Sequence, residues 1–408
     1  MAQIRYICCF SNNLFSKAGM SKRVILVWFR NDLRTHDNEV LHAAIEKADF
    51  VIPVYIFDPR YYETNQSGYT NTGELRSLYI LNTVRSLKEK LQFLGGDLMT
   101  FEGLPEEIIP HLVQRYDVDE VYHHREIART ETSISERVEE ELWKIQRNLK
   151  HFIGHTLYHK EDLPFPIKDI PNSFNVFKKK IERESSVRNP LADIDSITIP
   201  PHLEKTELPE HGEIAHYTYG EKAAMEELNS IFSQPLGNED LYIKLSPFLA
   251  IGSLSPVYTY HYINKRITAS NKKQVAKIVE RLLWRDYYRF MLKKYPNKYF
   301  LSEYTSNRDS VKIENWTTGN TENATINSYI EELNNTGIIS YIQREALALF
   351  FTYEYQQPWL EGAAWFEEKL IDYAPATNYG FWAHIGGEGT SEKDNKSIKD
   401  WEKEKASL

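Results

Sequence analysis

Short apolar runs alternate with stretches of helical length between residues 24 and 157, and this alternation constrains the fold more than any other feature. The first two runs, VILVWF at 24–29 and VIPVYIF at 51–57, are rich in β-branched residues and are predicted to be strands buried on both faces. A helix capped by Asp37 or Asn38 is predicted between them. Such alternation is typical of a parallel, doubly wound sheet.

The same pattern continues to residue 157. No G-x-G-x-x-G motif follows the first strand, so a dinucleotide bound at that position is not indicated, and the sequence contains no P-loop. Further helices are predicted at 73–94, 106–115 and 133–149, and further strands at 98–101, 120–123 and 152–157.

The second half of the chain has helical spacing, which predicts an all-α domain. A proline-rich connection precedes it and contains one predicted helix at 172–184. Pro358 fits the first turn of a helix, whereas Pro375 is predicted to close the helix that carries Leu370 and Asp372. The helices of this domain are predicted at 221–232, 256–264, 273–294, 325–334, 340–355 and 359–373.

These patterns divide the 408-residue chain, whose length favours two domains, into five segments. Residues 1–21 lack periodicity and residues 386–408 are polar and charged with almost no apolar anchors, so a disordered extension and a poorly ordered tail are predicted. The segments are a disordered extension at 1–21, an α/β domain at 22–157, a connection at 158–215, a helical domain at 216–390 and a polar tail at 391–408.

Composition excludes several classes of protein. The net charge of −9 argues against a uniformly basic chain but leaves room for a local basic face. Two adjacent cysteines, Cys8 and Cys9, exclude a disulfide framework and a cysteine metal site, and no metal is predicted. No run of 18 apolar residues exists, so no membrane span is expected, and the composition is consistent with a cytoplasmic protein.

Aromatic residues are concentrated between residues 349 and 382, in LFFTYEYQQPWLEGAAWFEEKLIDYAPATNYGFW. Most clusters of this kind are explained by a buried helical core. Four other segments give this cluster a second interpretation, because in this order they resemble the photolyase/cryptochrome family. They are VWFRNDLRTHDNEVL at 27–41, KEDLPFPIKDIPNSFNVFKKKIE at 160–182, LSPFLAIGSLSP at 245–256 and LLWRDYYRF at 282–290.

The resemblance covers about residues 22–390 and is greatest to the DASH cryptochromes, with LIDYAPATNYGFW at 370–382 matching the segment beside the flavin. It implies FAD in the helical domain and a light-dependent lyase or a blue-light signalling protein. The excited, reduced flavin would pass an electron to a cyclobutane pyrimidine dimer, preferentially in single-stranded DNA. Glu131 matches a possible contact of a folate antenna.

The resemblance also assigns roles to individual residues. Asn378 would face the reactive ring nitrogen of FAD, and Trp382 and Trp359 would relay electrons to it. The third relay tryptophan has no match between 299 and 312, where Tyr304 is a substitute. Ser246, Arg285, Arg344 and Asp372 are the other predicted cofactor contacts, and Glu280, Trp284 and Arg289 are the predicted contacts of the DNA substrate.

The sequence departs from the family at several of these positions. Tyr242 and Ile243 replace small hydroxyl residues that bind the FAD phosphates, and Arg281 replaces the acid that contacts the dimer. Asn327 and the pair Tyr341-Ile342 are further replacements. These changes keep an alternative open, in which the chain is a flavin-poor paralogue that acts as a nucleic-acid-binding or protein-binding module.

Overall fold

The computed structural model of the chain describes residues 22–209, 217–232, 241–302 and 308–406. Within these residues, one five-stranded sheet has the order β3-β2-β1-β4-β5, and each neighbouring pair is parallel. The predicted doubly wound sheet is therefore confirmed. Its strands are β1 (Val24–Phe29), β2 (Phe50–Phe57), β3 (Met99–Glu102), β4 (Glu120–His124) and β5 (Asn148–Phe152).

Helices cover both faces of the sheet, and the central strand β1 shows why. Ile25, Val27 and Phe29 pack with residues of α1 and α2, whereas Leu26 and Trp28 pack with residues of α3 and α4. Successive side chains of a strand point to opposite faces, so a strand that is covered on both faces is apolar throughout. These helices are α1 (Glu39–Lys47), α2 (Glu74–Phe93), α3 (Pro105–Arg115) and α4 (Arg129–Lys144).

The end of this half differs from the prediction. Helix α4 begins at Arg129 and ends at Lys144, and β5 occupies 148–152 rather than 152–157. Gln146 has a φ of 58°, a left-handed conformation that ends the helix abruptly. Strand β5 lies at the edge of the sheet and carries polar residues, so its short sequence NLKHF does not contain the apolar run that the prediction required.

The second half is helical in the residues that the structure describes, as predicted. Helices α7, α10 and α14 were not predicted, and Pro375 begins α14 at its first turn instead of closing α13, because proline needs no N–H partner there. The helices are α5 (Phe174–Glu184), α6 (Gly220–Ser230), α7 (Tyr242–Ile251), α8 (Pro256–Asn264), α9 (Lys272–Lys294), α10 (Ser310–Thr318), α11 (Ala324–Thr336), α12 (Tyr341–Leu349), α13 (Trp359–Lys369), α14 (Pro375–Ile385) and α15 (Ile398–Lys405).

The polar tail is ordered, so its predicted disorder is wrong for α15. The Trp401 side chain is 1% exposed and its indole N–H donates to Glu354 at 2.7 Å. Its ring lies against Phe350, with a centroid separation of 5.6 Å. A single buried tryptophan therefore anchors a helix whose other residues are charged, apart from the exposed Ile398.

The α/β and helical halves are joined by polar contacts of buried residues. Asp286 of α9 accepts hydrogen bonds from the backbone N–H groups of Leu157 and Tyr158, each at 2.9 Å. Gly252 follows α7 with a φ of 76°, and a Cβ there would lie 1.8 Å from the Asn31 carbonyl oxygen. Only glycine therefore allows the two halves to approach this closely at that point.

Two predictions fall outside these residues, namely the extension at 1–21 and the relay substitute Tyr304. In the part of the chain that the structure describes, no helix has the length and apolar character needed to cross a membrane.

Candidate cofactor site

A pocket of about 920 Å³, its mouth included, lies among helices α7, α9, α12 and α14. One face of α9 forms its wall through Arg281, Trp284, Arg285 and Tyr288. These positions are three and four residues apart, so they form a single stripe on the helix. The period of α9 thus determines which of its residues reach the pocket.

An ion pair lies on the opposite wall. Arg344 donates through one Nη2 to both carboxylate oxygens of Asp372, at 2.9 and 2.8 Å, and its Nε donates to the Ile339 carbonyl oxygen at 3.0 Å. The Asp372 side chain is 5% exposed and that of Arg344 is 17% exposed. The pair suggested by the family resemblance is therefore present, with both side chains held in one orientation.

Asn378 of α14 presents a free acceptor to the pocket. Its Nδ2 donates to the Ala363 carbonyl oxygen at 2.9 Å, which turns Oδ1 the other way. Among the described residues, this buried oxygen has no hydrogen-bond partner. A buried acceptor without a hydrogen bond destabilises the protein by about 1–3 kcal/mol. Such an atom therefore indicates a ligand that donates a hydrogen bond to it. The N–H of a reduced flavin ring is such a donor, and the pocket fits FAD at this end.

Close packing of α14 on α9 brings Asn378 to the pocket. A Cβ on Gly380 would lie 2.4 Å from Cδ1 of Tyr288, so a larger residue would force the helices apart. Glycine in a helix costs roughly 0.5–1 kcal/mol relative to alanine. Here that loss is offset by the contact between the two helices.

The end of the pocket that lacks the family's hydroxyl residues is rich in arginine. The Arg281 guanidinium lies over the Tyr341 ring at 3.7 Å, and Arg285 donates to the carbonyl oxygens of Leu249, at 3.0 Å, and His155. Burial lowers the pKa of Arg285 to about 10, so it stays cationic at neutral pH. The Ser246 hydroxyl donates to its own helix, at the Ile243 carbonyl oxygen. This end of the pocket is therefore positively charged.

Trp284 lines the pocket with part of its indole, while Phe174 of α5 stacks on it at 3.6 Å with an interplanar angle of 11°. Phe174 lies 110 positions earlier in the chain, and nothing in its local sequence indicates this contact. One face of the indole is consequently covered, and a base can stack only on the other.

The two predicted relay tryptophans are buried behind the pocket. Trp382 has no exposed surface and packs edge-on against Phe366 at 5.0 Å, and the indole N–H of Trp359 donates to Glu388 at 2.7 Å. Sequence reasoning missed Trp316 of α10, whose ring centroid is 6.2 Å from that of Trp382. It lies four residues beyond the interval 299–312, where the third relay tryptophan was expected, on a helix that was not predicted.

Two predicted DNA contacts do not reach this pocket. Glu280 forms an exposed ion pair with Lys178 at 2.9 Å, and Arg289 pairs with Glu126 at 3.0 Å in another cleft. Each position is four residues from a member of the stripe, so their ion-pair partners, and not the helical period, hold both side chains away from the pocket.

Glu131 lines a second large pocket, of about 1800 Å³ with its mouth, at the carboxyl ends of β1 and β2. Trp28, Tyr61 and Tyr373 are among its walls. Burial raises the pKa of Glu131 to about 7, so the carboxyl group can donate or accept near neutral pH. This is the crevice where parallel α/β sheets bind ligands.

Comparison with known proteins agrees with this geometry. Residues 25–196 match the sequence model of DNA photolyase, and residues 278–403 match that of the FAD binding domain of DNA photolyase. Cryptochrome DASH from Synechocystis is 34% identical over 402 residues, which cover 91% of this chain and 82% of that protein. The chain belongs to the photolyase/cryptochrome family. Cryptochrome DASH from Xenopus laevis is 33% identical, with coverages of 92% and 79%.

Solved structures of the family give the same result. The Synechocystis cryptochrome structure matches with a TM-score of 0.85 and 32% identity, covering 91% of this chain and 83% of that one. A class III photolyase from Agrobacterium tumefaciens shares the fold, with a TM-score of 0.79, 23% identity and coverages of 91% and 81%. The chain is thus a DASH-type, photolyase-like flavoprotein with FAD as its cofactor, and the flavin-poor alternative is not favoured.

Proposed function

We propose that this DASH-type flavoprotein is a light-dependent lyase that splits pyrimidine dimers, and that its preferred substrate is single-stranded DNA. The observation that carries the proposal is the shared pocket of Asn378 and Trp284, where an orphaned acceptor and an indole surface face one cavity. Bound FAD would supply the light-driven electron.

The residues of the pocket then have distinct tasks. Asn378 accepts a hydrogen bond from the cofactor ring, and the Arg344–Asp372 pair fixes the ring's orientation. Trp382 and Trp359 carry electrons towards the pocket through an interior that excludes water. Arg285 compensates the charge of the cofactor phosphates, because Tyr242 and Ile243 supply fewer hydroxyl donors than the residues that the family has at these positions.

The preference for single strands follows from the energy available at the DNA side. Extracting a base from a duplex costs a few kcal/mol, and stacking on an aromatic side chain returns about 1–3 kcal/mol. Trp284 offers one free face for stacking. Arg281 occupies the position where the family has the acid that contacts the dimer, so that contact is missing. The pocket therefore recovers too little energy to open a duplex, whereas a single strand demands less.

The test is repair of a single thymine dimer in a 16-nucleotide strand under blue light, with the same strand in a duplex for comparison. We expect dimer loss in the single strand only, and a Trp284→Ala variant that binds it at least tenfold more weakly, from the lost stacking energy. Trp143→Ala is the matched control, because the Trp143 side chain is exposed. Absence of repair by the FAD-loaded protein, in light and with reductant, refutes the proposal.

We further propose a folate antenna in the pocket of Glu131. The support is a carboxyl group with a pKa of about 7 beside aromatic walls, which suits the donor and acceptor groups of a pterin ring. Adding methenyltetrahydrofolate should give an absorbance band of the bound folate. The same band should appear in the excitation spectrum of the flavin. Loss of both in Glu131→Gln is expected, and equal antenna binding by wild type and variant excludes the role of Glu131.

A further inference from the structure

A third cleft, of about 1480 Å³ with its mouth, takes no part in the chemistry described above. It lies between the carboxyl ends of β4 and β5, the start of α4 and the last turns of α9. We call it the histidine cleft, and its residues include His124, Glu126, His155, Lys160 and Lys293.

Glu126 is a fully engaged charge on the floor of the histidine cleft. Its carboxylate pairs with Arg289 at 3.0 Å, accepts from Asn31 Nδ2 at 3.2 Å and lies 3.3 Å from His155 Nε2. Burial opposes its ionisation, but the charge of Arg289 and the contact with His155 hold the pKa of Glu126 well below its usual range. The floor carboxylate is therefore ionised and already neutralised by the protein.

The two histidines leave ring nitrogens without partners. The Gly154 N–H donates to His124 Nε2 at 2.6 Å, so the ring proton of His124 lies on Nδ1. His155 Nε2 lies 3.3 Å from Glu126 without a hydrogen bond to it, so both ring nitrogens of His155 are left for a ligand, one as a donor and one as an acceptor. Both Nδ1 atoms are buried without a hydrogen-bond partner among the described residues, and His124 and His155 are 3% and 2% exposed. A buried donor and a buried acceptor thus await a ligand.

The rim of the histidine cleft is positively charged. Arg125, Lys160 and Lys293 line it, and within the described ranges none of the three has a carboxylate at salt-bridge distance. Burial and the neighbouring charges of Lys160 and Arg125 lower the pKa of Lys293. Glu136 is an exposed carboxylate on the same wall, so the charge of the rim remains net positive.

The first turn of α4 adds to this field. Ala128 occupies the N-cap position and provides no side-chain hydrogen bond to the free N–H groups, while Thr132 and Ser133 of that turn line the cleft. An uncapped helix N-terminus favours an anion, and phosphate most often. The floor and the rim point independently to a ligand with a polar body and an anionic group.

We propose that the histidine cleft binds a phosphorylated small molecule, with its phosphate at Arg125, Lys160 and Lys293 and its polar body on His124 and His155. The lining residues and the charge of the cleft agree with this assignment, which does not depend on the lyase activity.

A metal ion is the competing occupant, because His124, Glu126 and His155 have ligand atoms within 4.8 Å of one another. The charges oppose it, since Arg289 already pairs with the carboxylate and three more cations surround the opening. In addition, the Gly154 N–H uses the lone pair of His124 Nε2. A cation would have to displace these contacts, whereas an anion would not.

The experiment is calorimetric titration of the FAD-loaded full chain with AMP, so that the cofactor pocket is filled. We expect one site with a Kd of about 1 mM or tighter, and no binding of adenosine, which lacks the phosphate. The double variant Lys160→Gln/Lys293→Gln should bind AMP at least tenfold more weakly. Lys179→Gln/Lys180→Gln is the control of equal charge change on the exposed face of α5, and it should bind as wild type does.

Three results would overturn the proposal. They are no detectable binding of AMP or inorganic phosphate, equal weakening in both double variants, and binding of adenosine as tight as that of AMP. Stoichiometric Co²⁺ uptake with a tetrahedral visible spectrum, lost in His155→Asn and insensitive to Lys160→Gln/Lys293→Gln, would assign the histidine cleft to a metal instead.

Discussion

Removing one charge of the Arg344–Asp372 pair should lower both the stability of the protein and its affinity for FAD. Asp372→Asn keeps the shape of the side chain but leaves a guanidinium that is 17% exposed without a counter-charge. Breaking a buried pair in this way costs about 3–5 kcal/mol. We expect the lower value, about 3 kcal/mol, because Arg344 retains some solvent and its bond to the Ile339 carbonyl oxygen.

A second ion pair provides the control. Glu345, next to Arg344 on α12, pairs with Lys396 at 2.5 Å, and both side chains are more exposed than Asp372. Glu345→Gln should therefore cost no more than about 1 kcal/mol. Adding Arg344→Gln to Asp372→Asn should restore part of the stability, because it removes the unpaired charge.

The assay is urea unfolding of the FAD-free protein followed by tryptophan fluorescence, together with a titration of FAD into each variant. We expect Asp372→Asn to lower the unfolding midpoint and to weaken FAD binding, whereas Glu345→Gln changes neither appreciably. If Asp372→Asn and Glu345→Gln are destabilised equally, the pair is not a buried structural element and the reasoning above fails.

Two other predictions concern elements that the sequence did not settle. Trp401→Ala should lower the free energy of unfolding by about 3–5 kcal/mol and release α15, since it removes a buried indole. Ile398→Ala, on the exposed side of the same helix, should lower it by less than about 0.5 kcal/mol. Limited proteolysis and thermal melting of the two variants compare these effects. The pKa of Glu131 is raised from about 4.5 to about 7, so the stability it contributes is present below pH 4.5 and is lost as the pH rises through 7. Glu131→Gln should therefore be more stable relative to wild type at pH 8 than at pH 4.5, by up to about 3 kcal/mol, and urea midpoints at the two pH values measure this.

The strands and amphipathic helices were predictable because their patterns are local. Helix α1 and its Asn38 cap, helix α8 and strand β1 occur where the sequence indicates. Helices α7 and α14 escaped prediction for the opposite reason. They are buried on nearly all sides, so their sequences carry no polar face from which a helical period can be recognised.

Most of the cofactor contacts that the family resemblance named lie around one pocket, and their roles stay predictions. Arg344 and Asp372 meet as expected, and Asn378 and Ser246 line the same cavity. Glu280 was named as a substitute because it is next to Arg281, where the family has its acid, but one step along α9 is a rotation of about 100°. Glu280 also lies four residues before Trp284, so the helical period does not exclude it, and only the structure shows that its carboxylate pairs with Lys178.

The sequence by itself determined the α/β and helical halves, the family and the stripe of α9, because these depend on periodicity and on motifs a few residues long. Only the tertiary structure decided that Oδ1 of Asn378, and not its Nδ2, faces the pocket, that Phe174 covers one face of Trp284 and that Trp401 docks the last helix. The histidine cleft belongs to this second group. Such features join residues tens to more than a hundred positions apart, and their geometry follows from packing that no local pattern encodes.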